Sequence, residues 1–222
     1  MAEQKDLSSL ERSSDLSRIN AFTDGVFAIA ITLLVLQLEV PAFIDNASGL
    51  WQGLGDQEAA FLAFTNSFAV IGMFWYLHHR FMRMVREFDK FLVALNLLYL
   101  FFIVLIPFSS QLMGEHGWKI PVTDVIYLVN VALVTFVAGL MYIHTSKQSM
   151  IYPEYGTLVR KGIPAVFARG IICLAIIPFA FLIGPYTPLL LIPLWLLNPY
   201  ERARRVIDEY EEEHQHPDGK RE

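Results

Sequence analysis

The chain is short of charge. Only 18% of its 222 residues are Asp, Glu, Lys or Arg, while 55% are hydrophobic; soluble domains carry about a quarter charged residues. It is also short of cysteine. The single Cys173 excludes an intrachain disulfide and a cysteine metal cluster, and its apolar surroundings suit a lipid- or core-facing thiol. Basic residues form short clusters between apolar segments, which excludes a nucleic-acid surface. No cleavable leader pattern is present: the first 19 residues are polar and carry charges of both signs, so the first hydrophobic segment is expected to be retained.

What the chain has is long apolar runs separated by short charged ones, the pattern of a polytopic α-helical membrane protein. A helix needs about 20 apolar residues to cross the hydrocarbon core, at about 1.5 Å each. Six segments qualify: Ile19 to Val40, Ala59 to Leu77, Phe91 to Met113, Val122 to Ile143, Ile163 to Ile183, and Tyr186 to Leu197. Gly184 and Pro185 leave a very short last connection, and Pro188 and Pro193 interrupt the final segment, so a re-entrant hairpin competes there. The reading is an all-α fold: a six-helix membrane domain over 18–200, a cytoplasmic N-terminal segment over 1–17 and a charged cytoplasmic tail over 201–222.

The loops set the orientation. Lys5, Arg12 and Arg18 precede the first segment, and no basic residue lies between Pro41 and Glu58. Arg80, Arg83, Arg86 and Lys90 follow the second segment, and only Lys119 follows the third. Lys147, Arg160, Lys161 and Arg169 lie between the fourth and the fifth, and the rest are in the tail, so sixteen of the seventeen Lys and Arg share one side. The positive-inside rule then puts both termini in the cytoplasm, in a multi-pass plasma-membrane protein. The Arg80, Arg83, Arg86 series is flanked by Glu87 and Asp89 and reads as a loop obeying that rule, not as a voltage sensor. Trp51, Trp118, Trp195, Tyr127 and Tyr200 fall near expected helix ends, where aromatic rings favour the headgroup layer.

The first segment stands apart. It begins Arg18-Ile19-Asn20-Ala21-Phe22-Thr23-Asp24-Gly25, placing two charges at the start of a span, where charges are costly and usually paired. At 100° per residue, Arg18, Phe22, Gly25, Ile29, Thr32, Leu33 and Leu36 form one stripe. Asp24 lies on the far side with Phe27, Ile31 and Val35, so Arg18 and Asp24 should each find a partner elsewhere. Two readings of Thr23 and Asp24 stay open: capping of the helix N-terminus, or a contact with another helix. The second segment ends Phe74-Trp75-Tyr76-Leu77-His78-His79-Arg80 at the same membrane level. His78 and His79 are either interfacial or partners of Asp24; adjacent histidines point about 100° apart and do not share a metal.

Arg18-x-x-x-Phe22-Thr23-Asp24 resembles the R-x-x-x-F-S-D signature of the transmembrane protein 175 family, potassium-selective channels of lysosomes and prokaryotes. The run from Gly25 to Leu36 and the ending Phe74-Trp75 with His78-His79 are similar as well, and length and six-span topology suit the single-repeat prokaryotic members. Thr23 stands where the signature has serine, which keeps the hydroxyl. The resemblance implies a homotetramer whose first helices line a central pore, with no P-loop; no TVGYG-like filter occurs here. It implies that Ile29, Leu33 and Leu36 form a hydrophobic constriction and Thr32 a pore-lining layer. It also implies that Arg18, Phe22, Thr23 and Asp24, with Trp75 and His78 or His79, hold the first two helices together at the cytoplasmic mouth. Expected partners are the other copies, the lipid bilayer and K⁺ as the permeant ion, with no cofactor and no resident metal. A secondary cation transporter or proton-coupled carrier is the alternative; it calls for midplane charges, which the first four segments lack. An enzyme is not expected, since Cys173, His116 and His144 have no partners at suggestive spacing.

Overall fold

The computed structural model describes residues 2–41, 46–117 and 119–191. Among these, seven α-helices follow one another: α1 (Ala2–Leu33), α2 (Ala47–Gly55), α3 (Glu58–Met84), α4 (Lys90–His116), α5 (Val122–Lys147), α6 (Gly156–Ala175) and α7 (Ile177–Ile183). Short 3₁₀ turns cover Leu34–Gln37, Pro153–Tyr155 and Gly184–Leu191. Five stretches are long and apolar enough to cross a membrane: Leu16–Gln37, Glu58–Met84, Lys90–His116, Val122–Lys147 and Pro153–Ile183.

Several boundaries differ from the sequence reading. The first α-helix stops at Leu33 and tightens into 3₁₀ before the chain extends towards Pro41, so it does not reach Val40 as α-helix. The second runs past Leu77 to Met84, which places Arg80 and Arg83 on α3 and leaves only 85–89 as a loop. α6 starts at Gly156, seven residues before the expected Ile163. It breaks at Ile176 because Pro178 offers no N–H and its ring crowds the turn before it. Gly184, at φ 52°, then turns the chain in a backbone region that suits glycine. The sixth segment begins here as the 3₁₀ turn Gly184–Leu191; its remainder, Trp118, Trp195, Tyr200 and the tail 201–222 lie outside the described residues. Tyr127 is not interfacial: it is fully buried, whereas Trp51 is exposed.

The layering is simple. α5 packs between α4 and α6, α3 lies on α4, and α1 lies across α3 and α4. Leu92, Ile103 and Ile106 of α4, Val70 and Ile71 of α3, and Leu128, Val131 and Val134 of α5 are fully buried in the shared core. α5 and α6 approach closely through two glycine notches. Phe167 fills the space beside Gly139, where a Cβ would come within 2.6 Å of its ring, and Phe136 sits likewise against Gly170 at 2.8 Å. Small residues at such crossings let helices gain packing contacts that lipid cannot match.

The end of the bundle that carries most basic residues is tied together twice. Val85 and Ile151 form a single antiparallel bridge, with Arg86 N–H donating to the Met150 carbonyl at 2.7 Å. Asp89 caps α4 by accepting from the Leu92 N–H at 2.7 Å, and its other oxygen meets His144 Nε2 at 2.9 Å. Burial opposes ionisation of Asp89, but these two hydrogen bonds hold its carboxyl below the usual range. At the opposite end, the Gln57 side chain holds the backbone of Glu39 from both sides, at 2.8 and 2.7 Å.

Candidate functional site

Burial divides α1 and its 3₁₀ extension into two faces. Thr23, Phe27, Ala30, Leu34 and Gln37, spaced alternately four and three apart, are buried against α3 and α4. Phe22, Ile29, Thr32, Leu33 and Leu36 are exposed, Ile29 by 61% and Leu36 by 74%, and so is Val35, which the 3₁₀ winding separates from the buried Phe27 that the helical wheel grouped it with. The first face is the interior side of an amphipathic element. The second is apolar apart from the Thr32 hydroxyl and, nearer its start, the exposed Asp24. The Thr32 hydroxyl donates back to the carbonyls of Ala28 and Ile29, at 2.9 Å each. Its lone pairs are therefore the groups left facing outward.

The buried face is fixed at the basic end by a chain of three polar side chains. Asn96 of α4 donates to the Thr23 hydroxyl at 3.0 Å, and its carbonyl oxygen meets His78 Nε2 of α3 at 2.8 Å. All three residues are buried. The His78 ring also stacks on Tyr99, with centroids 5.0 Å apart, and Phe27 leans on both rings. Asn96 thus joins α1, α3 and α4 through one amide. Buried polar groups in a membrane need such partners, because neither water nor lipid can satisfy them.

A second contact lies nearer the surface. The Trp75 indole N–H donates to Asp24 Oδ1 at 2.9 Å, and the Trp75 ring stacks on His79, with centroids 5.7 Å apart. The two histidines therefore belong to different contacts: His78 reaches Thr23 through Asn96, and His79 reaches Asp24 through Trp75. Arg18 joins neither and forms no ion pair among the described residues. Phe22 is exposed. Helix capping by Thr23 or Asp24 is overturned, because α1 begins at Ala2 and both residues lie in its interior.

A third polar chain crosses the other half of the bundle. Ser110 donates to the Gln37 side-chain oxygen at 3.0 Å and pairs with Ser67 at 2.8 Å; Ser67 and Asn66 both reach the Tyr127 hydroxyl at 3.1 Å. Gln37 thereby holds the far end of α1 as Thr23 holds the near end. The sequence reading singled out neither Asn96 nor Gln37. A lone asparagine inside Leu95-Asn96-Leu97 was the available signal, since an amide within an apolar run calls for an interhelical partner. No cluster of His, Cys, Asp or Glu suited to a metal occurs among the described residues.

The family model for the endosomal/lysosomal potassium channel TMEM175 matches residues 18–107. These residues contain most of the α1 span, α3 and most of α4, the three helices that Asn96 joins. A crystal structure of a lysosomal potassium-selective channel TMEM175 homolog from Chamaesiphon minutus superposes with a TM-score of 0.64 at 29% identity, covering 82% of this chain and 97% of that one. Over residues 18–107 this chain is similar to the TMEM175 family. Among curated relatives, a protein named as a potassium channel in Streptomyces collinus is 42% identical over 103 residues, 46% of this chain and 50% of that protein. The chicken protein, named as the endosomal/lysosomal proton channel TMEM175, is 34% identical over 109 residues, 46% of this chain and 22% of its own length. The chain spans about half the length of the bacterial curated relatives it matches. The likeness in sequence thus centres on the helix with two faces and its anchors, while the likeness in fold extends across the bundle.

Proposed function

We propose that the chain is one subunit of a homotetrameric, potassium-selective channel in which the exposed face of α1 lines a central pore. The observation that carries this reading is the division of α1. One face is anchored at both ends by buried hydrogen bonds, and the other leaves a nearly continuous apolar stripe uncovered. A fourfold arrangement covers that stripe with its own copies. One subunit alone encloses no pathway.

The pore walls are then side chains, because the carbonyls of an α-helix are committed to its own amides. Ile29 forms the narrowest ring, and Leu33 and Leu36 extend it. Such a ring offers no ligand to an ion and excludes water when narrow, acting as a gate. Thr32 supplies the polar layer, its outward lone pairs facing a partly hydrated cation. The contacts of Thr23, Asp24, Trp75, His78 and His79 hold α1 against α3 at the mouth. Both termini lie in the cytoplasm, the orientation that the basic residues favour, and the membrane is the plasma membrane.

Reconstitution in planar bilayers with potassium on one side and sodium on the other tests this. The reversal potential is expected to lie towards the potassium equilibrium value; a value at zero, or no current from folded protein, sinks the reading. The names of the relatives divide between potassium and proton. A pH gradient at symmetrical potassium separates those two ions. Single-channel steps exclude the slower turnover of a cation transporter or proton-coupled carrier.

A further inference from the structure

A cleft of about 540 Å³ opens at the basic end, between the start of the α1 span and the loop that leads into α4. Both spans begin here, at Leu16 and Lys90, which places the cleft at the boundary between membrane and water. Three cations line it: Arg18, Arg86 and Lys90. Its acids are already engaged. Asp89 is held by the Leu92 N–H and His144, and Glu87 lies 3.1 Å from Arg86. Arg18 and Lys90 form no ion pair among the described residues. The remaining lining is apolar: Leu16, Ile19, Phe88 and Val93. The first turn of α4 adds the positive end of a 27-residue helix.

We propose that this cleft binds an anionic phospholipid, its phosphate held by Arg18 and Lys90, with Arg86 shared between the phosphate and Glu87, and its glycerol and first methylenes lying on Leu16, Ile19, Phe88 and Val93. Each half of the lining suits one half of that ligand. A cationic pocket between spans at the membrane surface selects acidic headgroups, and each Lys or Arg contributes about fivefold in affinity near the surface. A free phosphate leaves the apolar half uncovered, and a neutral lipid leaves the cations without a counter-charge. The proposal rests on the membrane placement of α1 and α4 and is independent of the channel reading.

The test is lipid retention by the purified full chain in neutral detergent, counted by native mass spectrometry during titration with phosphatidylglycerol, phosphatidylcholine or inorganic phosphate. Phosphatidylglycerol is expected to be retained in preference to phosphatidylcholine. Arg86→Gln with Lys90→Gln is expected to reduce that retention about 25-fold, from about fivefold per residue. Arg18→Gln alone reduces it about fivefold by the same measure, and Lys119→Gln, at the opposite end, leaves it unchanged. Both glutamine variants are surface changes expected to fold, and an unchanged thermal midpoint without lipid verifies this. Equal retention of the two lipids overturns the proposal, as does retention unaffected by the double variant. Displacement of bound lipid by millimolar inorganic phosphate overturns the lipid source. Loss of potassium current with selective retention intact sinks the channel reading alone.

Discussion

The most apolar 18-residue stretches of the α1 and α5 spans have nearly the same mean hydropathy, yet the chain itself buries 61% of the α5 stretch and only 22% of the α1 stretch. α5 lies between α4 and α6 and receives Phe167 at Gly139. α1 has neighbours on one side only. Apolar content therefore tells which segments enter a membrane, and burial tells which of them the subunit itself satisfies. α5 is scaffold. α1 is half scaffold, and its other half needs lipid or further copies to cover it.

Substitutions on the two faces and in the two helices sharpen that contrast. The largest loss of stability is expected from Asn96→Ala, which strands Thr23 and His78 without partners and opens a cavity; about 2–4 kcal/mol is expected, read as a lowered thermal midpoint in detergent. A midpoint like that of the parent would mean that α1 is held by its apolar contacts alone. Gly139→Ala comes next. Its Cβ drives the Phe167 ring out of its notch, at about 1–3 kcal/mol, seen by unfolding in a graded denaturing detergent. If α5 tolerated it freely, the contrast between closed and open helices would lose its basis.

Asp89→Ala removes the α4 cap and the His144 contact, at about 1 kcal/mol. The carboxyl is held below its usual range, so its contribution is fully present above the ordinary carboxylate range and is lost as pH falls through the lowered value. The difference between parent and variant midpoints should accordingly shrink on acidification. Ile29→Ala is the smallest for stability, under about 0.5 kcal/mol, because 61% of Ile29 is uncovered in the subunit. The same change should raise conductance if four copies of Ile29 close the pore. A large stability loss with unchanged current would reverse the assignment of the two faces.

The spans α3, α4 and α5 were legible because their apolar runs are long and bounded by charge. The exposed stripe of α1 was legible because helical spacing alone puts Ile29, Thr32, Leu33 and Leu36 together. What spacing cannot give is the partner. Thr23 and Asn96 are 73 residues apart, and the oxygen that His78 meets belongs to a helix that no pattern in α1 or α3 names. The choice between His78 and His79 was equally hidden, since it depends on how α3 is rotated against α4. The break at Ile176 carried a plain signal in Pro178, but an unbroken hydrophobic run masked it. The 3₁₀ winding of Leu34–Gln37 had none.

The hydrogen of the Thr32 hydroxyl is shared between two carbonyls of its own helix. Chloride, which needs a donor, finds none on that side chain, and the neighbouring Ile29, Leu33 and Leu36 offer none either. If this face lines a pore, it offers a cation the lone pairs of one hydroxyl per subunit and offers chloride no donor.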